Sequence, residues 1–139
     1  MQKLIASLIF AGAVLRTDPV LVTKVTDGDS IVVATIGSVS LLGIEAASAK
    51  ARERLESLVL HRWIRLEFEE PRGGARASRH RAYVVLDTGE FVNATLVRDG
   101  LARVAMRGDF SRRGELERAQ TEAQRFRRGI WARYTRDTP

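Results

Sequence analysis

Between residues 20 and 86 the apolar residues repeat at the period of a β-strand, and one helical stretch interrupts them. That order leaves few ways to build a core. Residues 20–26 and 29–34 are two β-rich runs around Asp27-Gly28, a dipeptide suited to a hairpin turn. Gly37-Ser38 ends the second run, and residues 39–45 form a third, with Gly43 at a bulge or close-approach point. From 46 to 61 the period changes. Ala51, Leu55, Leu58 and Val59 fall on one helical face, while Lys50, Arg52, Glu53 and Glu56 fall on the other. Residues 63–68 and 82–86 supply a fourth and a fifth strand. The loop between them, 69–78, carries Pro71, Gly73 and Gly74, and Asp87-Thr-Gly89 turns the chain toward Phe91.

The remainder is helical. Asn93 is placed to cap a short helix ending at Asp99, with Gly100 as its stop. Ser111 is placed to cap a last helix whose apolar stripe is Leu116, Ala119, Ala123 and Phe126. Gly129 closes that helix, and Ile130-Trp131 folds back as an apolar clasp. Three strands, a helix, two strands and further helices predict an α+β, mainly β chain. The expected form is a five-stranded Greek-key barrel of OB type with about three flanking α-helices. With 139 residues, 45% of them apolar, one domain over residues 19–131 accounts for the chain, followed by a tail at 132–139.

Residues 1–15 stand apart. Lys3 precedes an apolar run from Leu4 to Leu15, broken only by Ser7 and Gly12. Twelve helical residues cover about 18 Å, short of a bilayer's hydrocarbon core, so no transmembrane helix is expected. The run has two readings. One is a small secretory signal cleaved near Ala13, after Ala11-Gly12-Ala13, which would make the protein exported or periplasmic. The other is an N-terminal strand or helix packed on the domain or on a partner.

Composition narrows the chemistry. The chain has no cysteine, which excludes disulfides, zinc–thiolate sites and a thiol nucleophile. Two histidines, His61 and His80, leave little for a multi-histidine metal site. Of 23 basic residues only Lys3, Lys24 and Lys50 are lysines, and the net charge of +6 suits a polyanionic partner. Any chemistry therefore rests on carboxylates, arginines and hydroxyls.

Four short pieces occur in order: Val25-Thr-Asp-Gly-Asp-Ser30; Leu41-Leu-Gly-Ile-Glu45; Phe91-Val-Asn93 with Leu96-Val-Arg-Asp-Gly-Leu-Ala102; and Glu115 through Trp131. Together they make the chain resemble the staphylococcal nuclease-like (thermonuclease) family over roughly Pro19 to Trp131. The resemblance implies an OB barrel and Ca²⁺-dependent hydrolysis of phosphodiesters. That chemistry uses a Ca²⁺ held by two Asp carboxylates and a backbone carbonyl, a Glu base for the water, and two arginines for the growing phosphoryl charge.

Carried over by position, the set is partial. Asp29 stands at the first calcium Asp, and Glu45, one methylene longer, at the second. Ala46 stands at the residue that supplies the carbonyl. Ser40 replaces the first arginine, Ser48 replaces the Glu base, and Arg79 aligns with the second arginine. A serine hydroxyl has no useful basicity near neutral pH. Losing a base costs about 10²–10⁴-fold in rate, and losing a charge-stabilising donor about 10²–10³-fold. Glu53 and Glu70 lie nearby in sequence, but nothing there places either over a phosphate.

Each retained group also has a structural reading. Asp27 and Asp29 suit a hairpin turn, and Glu45 suits the start of the following helix. Arg72, Arg76, Arg79 and Arg81 form either a solvated loop or a nucleic-acid-binding surface. Trp63 and Tyr83 are expected in the core or on the barrel face rather than as base-stacking platforms. Arg125, Arg127 and Arg128 suit the end of the last helix. The expectation is a non-catalytic structural or binding subunit with a protein partner in an assembly, its Ca²⁺ site weak or lost. The alternatives are a weak Ca²⁺-dependent endonuclease, or an OB domain that binds nucleic acid through the basic loop without cleaving it.

Overall fold

The Asp27-Gly28 dipeptide turns β2 (Val20–Asp27) back into β3 (Ser30–Val33), pairing Val25 with Ile31 and Asp27 with Ser30. The computed structural model describes residues 14–69 and 80–135. β4 (Gly37–Leu41) lies antiparallel on β3 with Ser30 opposite Ser40. The sheet then closes on itself. β7 (Arg81–Leu86) runs parallel to β4 and antiparallel to β6 (Trp63–Glu69), and β6 pairs with β2 through Val20–Ile64 and Leu21–Trp63. The result is a closed five-stranded barrel in the order β2-β3-β4-β7-β6, with three helices, as expected. β1 (Val14–Arg16) adds to the same edge of β6 farther along, with Arg16 opposite Glu67.

Period-2 alternation explains the interior. Val22, Ile31, Val33, Val39, Leu41, Ile64 and Leu66 all turn inward and are almost fully buried. Helix α1 (Ala49–Val59) is shorter than the 46–61 expected, and it buries Ala51, Leu55, Leu58 and Val59 as its spacing requires. Helices α2 (Val92–Arg98) and α3 (Arg113–Arg125) pack together and complete the core with Leu96, Leu116, Ala119 and Ala123. Among the described residues no helix is long and apolar enough to cross a membrane.

Several local expectations are corrected. The third run is not continuous, because it turns at Leu42-Gly43 and resumes as β5 (Ile44–Glu45), paired with β8 (Arg103–Val104). Gly43 has φ +84°, and a Cβ there would sit 2.8 Å from both Leu116 Cδ1 and Phe110 Cε2, so α3 presses directly on the backbone. The second run, read over 29–34, is β3 over Ser30–Val33; Gly37-Ser38 does not end it but opens β4, and Thr35 makes the turn between them with φ +72°.

Asn93 is not an N-cap. It lies inside α2, fully buried, and its amide accepts the Val84 N–H at 2.9 Å while donating to the Leu42 carbonyl at 2.9 Å. It stitches the barrel where β4 and β7 diverge. Ser111 does not cap α3, whose N-cap is Arg112 without a side-chain bond. Phe126 leaves the apolar stripe and is 60% exposed. The clasp after Gly129 forms: Ile130 N–H donates to the Gly100 carbonyl at 2.8 Å, and Trp131 is buried beneath the Arg103 guanidinium. A 3₁₀ segment, Gly129–Thr135, carries the chain past Trp131. The apolar run up to Ala13 lies outside the described residues.

Candidate functional site

The β2–β3 turn lands on the start of α1, and a glycine permits it. A Cβ on Gly28 would stand 2.7 Å from Ala51 Cβ and 2.9 Å from the Ala46 carbonyl oxygen, closer than side chains tolerate. Asp27 Oδ1 accepts the Gly28 N–H at 2.8 Å and fixes the turn. Asp29, half-buried, then reaches across 17 residues of sequence: its Oδ2 accepts the Ala46 N–H at 3.1 Å. Its Oδ1 accepts from Ser30 Oγ at 3.3 Å, and its backbone carbonyl accepts the Leu41 N–H at 2.8 Å.

Asp29 and Ala46 are therefore brought together, with Glu45 beside Ala46 at the end of β5. Glu45 is exposed, and its carboxylate makes no hydrogen bond or ion pair among the described residues. Its cross-strand neighbour Arg103 places its guanidinium over the Trp131 ring at 5.1 Å.

Ser48 has a defined local role. It is the N-cap of α1, in extended conformation, and its Oγ accepts the Ala51 N–H at 3.0 Å. Ser40 lies half-buried on the outer face of β4, in register with Ser30 on one side and the exposed Arg81 on the other, and its N–H donates to the His80 carbonyl at 2.6 Å. Glu70, Arg72, Arg76 and Arg79 lie outside the described residues.

The structure also holds a polar network that the sequence did not announce. Glu67 is only 6% exposed and takes Arg16 Nε at 3.1 Å and Arg112 Nη2 at 3.5 Å. Alternation puts Glu67 on the outer face of β6, where water is expected, but the approach to α3 covers it. Tyr83, fully buried, donates to Glu69 Oε2 at 2.8 Å and accepts the Arg112 N–H at 3.0 Å. Ser111 Oγ donates to the same Glu69 oxygen. Burial pushes the Tyr83 phenol well above its ordinary range, against the opposing pull of the Arg112 N–H. The Arg112 guanidinium lies 4.3 Å above Phe91, whose ring meets Tyr83 edge-on. Trp63, by contrast, stands on the barrel's outer face and is 61% exposed.

The family model for staphylococcal nuclease homologues matches residues 41–133, about two thirds of the chain, and the chain belongs to that family. The closed barrel with three helices agrees with the match. A comparison with curated proteins gives no match. Glu45, Ala46 and Ser48 fall inside the matched span, whereas Asp29 and Ser40 precede it.

The resemblance implies Ca²⁺, and the corner fits a resident Ca²⁺ poorly. Ca²⁺ takes about six to eight oxygen ligands. The corner offers the Glu45 carboxylate, the Ala46 carbonyl and an Asp29 carboxylate that already holds an N–H on one oxygen and an O–H on the other. Among the described residues no three His, Cys, Asp or Glu side chains are grouped to hold a metal ion.

Proposed function

We propose that this chain is a non-catalytic member of its family, a binding or structural subunit of an assembly rather than a working phosphodiesterase. The observation that carries the reading is the N-cap bond of Ser48. At the position where the resemblance places the base, the hydroxyl is engaged with the Ala51 N–H, and it has no basicity to offer water near neutral pH. Ser40, at the position of the first arginine, brings no charge to the outer face between Ser30 and Arg81. On this reading Asp29 and Glu45 are remnants of a metal site: Asp29 works as a clamp on Ala46, and no Ca²⁺ is resident.

A second reading, binding of nucleic acid without cleavage, draws on the exposed Arg81 at the mouth of the arginine-rich segment 72–81 and on the net charge of +6. A weak Ca²⁺-dependent endonuclease built on Asp29, Glu45, Ala46 and Arg79 is the third. Export follows if residues 1–13 act as a signal. The first barrel strand begins at Val20, so cleavage after Ala13 would remove no barrel strand.

Binding and scission assays with single-stranded DNA and RNA separate the three. The proposed function expects neither scission nor salt-sensitive binding. Binding that weakens with a log–log salt slope of about −0.7 per phosphate selects the second reading. Calcium-dependent scission selects the third.

A further inference from the structure

The outer face of β6 carries a patch that the fold does not use. Trp63 is 61% exposed at the start of the strand, beside the half-buried Leu21 on β2. Two residues on, Arg65 faces outward opposite Val85 of β7. Because Leu86 pairs with Ile64, the next residue, Asp87, falls beside Trp63. Arg65 and Asp87 are both exposed, and neither has an ion-pair partner among the described residues.

We propose that two copies of this chain associate across a two-fold axis through this face, Trp63 against Trp63, with Arg65 of each copy paired to Asp87 of the other. A two-fold interface uses one patch on both sides, so the patch must complement itself. This one does: an aromatic centre flanked by aliphatic Leu21 and Val85 has a cation at one margin and an anion at the other. Tryptophan is among the residues enriched at the energetic centre of such contacts. Single-stranded nucleic acid fits less well, since it calls for several stacking rings along a uniformly positive groove, and Asp87 would repel its backbone. The inference is independent of the proposed function, because scission assays read that function separately.

Sedimentation of the full chain across a concentration series tests it. The expected result is a reversible monomer–dimer equilibrium that Trp63→Ala weakens by about thirtyfold or more. Arg65→Asp alone should also weaken it, and adding Asp87→Arg should restore it. Trp63 lies outside the core, so the Trp63→Ala chain should keep its circular dichroism and its monomer unfolding midpoint. A chain that stays monomeric into the millimolar range overturns the proposal. So does association that survives Trp63→Ala, which assigns the contact elsewhere, for example to the apolar run 4–15. A single-stranded oligonucleotide that shifts Trp63 emission while the chain stays monomeric also overturns it, and hands the face to nucleic acid.

Discussion

The Asp29 carboxylate accepts the backbone N–H of Ala46 at 3.1 Å, and this bond ties the β2–β3 hairpin to the start of α1. A clamp and a calcium ligand respond differently to substitution. Asp29→Asn keeps an oxygen for the Ala46 N–H and removes the charge, whereas Asp29→Ala removes both. Bonds to charged groups contribute about 1.5–3 kcal/mol. Because the site is half-buried, Asp29→Ala should cost the lower part of that range in urea unfolding, and Asp29→Asn less than half as much. Wild-type midpoints in Ca²⁺ and in chelator should coincide. A Ca²⁺-dependent rise in the urea midpoint that Asp29→Asn abolishes would restore the metal reading.

Ser48 gives a second test at the same corner. Its cap bond to Ala51 predicts that Ser48→Ala costs about 1 kcal/mol. Ser48→Asp, which caps as well, should leave stability nearly unchanged. If Ser48→Ala has no effect on unfolding, the hydroxyl is not committed to the helix.

Asn93, fully buried, joins Val84 and Leu42. Asn93→Leu keeps the branched shape and strands both backbone groups, each worth about 1–3 kcal/mol when buried without a partner. A combined loss of roughly 2–5 kcal/mol in denaturant unfolding is expected on that basis. A loss below 1 kcal/mol would mean the barrel closes there without the amide.

Tyr83 predicts an alkaline slope. Its phenol ionises less readily folded than unfolded, because burial disfavours the phenolate. The folded state therefore holds the proton longer, and this contribution is fully present below the unfolded value near 10. Stability should fall as pH rises past that value. Tyr83→Phe should be less stable at neutral pH, since Glu69 and the Arg112 N–H lose a partner, yet show a flatter decline between pH 9 and 12. Parallel declines in the two proteins would place the titrating group elsewhere.

The barrel was legible because its signals are periodic and repeated: strand alternation in Ile64 and Leu66, helical spacing in Leu55 and Leu58, and an Asp-Gly turn. What depends on distant chain was not. Asn93 has the chemistry of a cap, and only the divergence of β4 from β7 makes it a buried bridge. Gly43 could be read as a close-approach point, but the pressure of Phe110 and Leu116 that splits the third strand comes from seventy residues away. Glu67 follows its alternation onto the outer face, and its burial is decided by Arg16 and Arg112. At the candidate site the family resemblance implies that Asp29, Glu45 and Ala46 act together. The fold brings Asp29 to Ala46 through a backbone N–H, a contact no sequence pattern encodes.

The proposed function rests on Ser48, a helix cap, standing where the resemblance places the base for water. The most direct measurement is strand scission by the purified wild-type protein on single- and double-stranded DNA and RNA, with Ca²⁺ and with chelator. Equal and negligible cleavage is expected in both. Rapid Ca²⁺-triggered scission that disappears in Asp29→Ala and Arg79→Ala would contradict it.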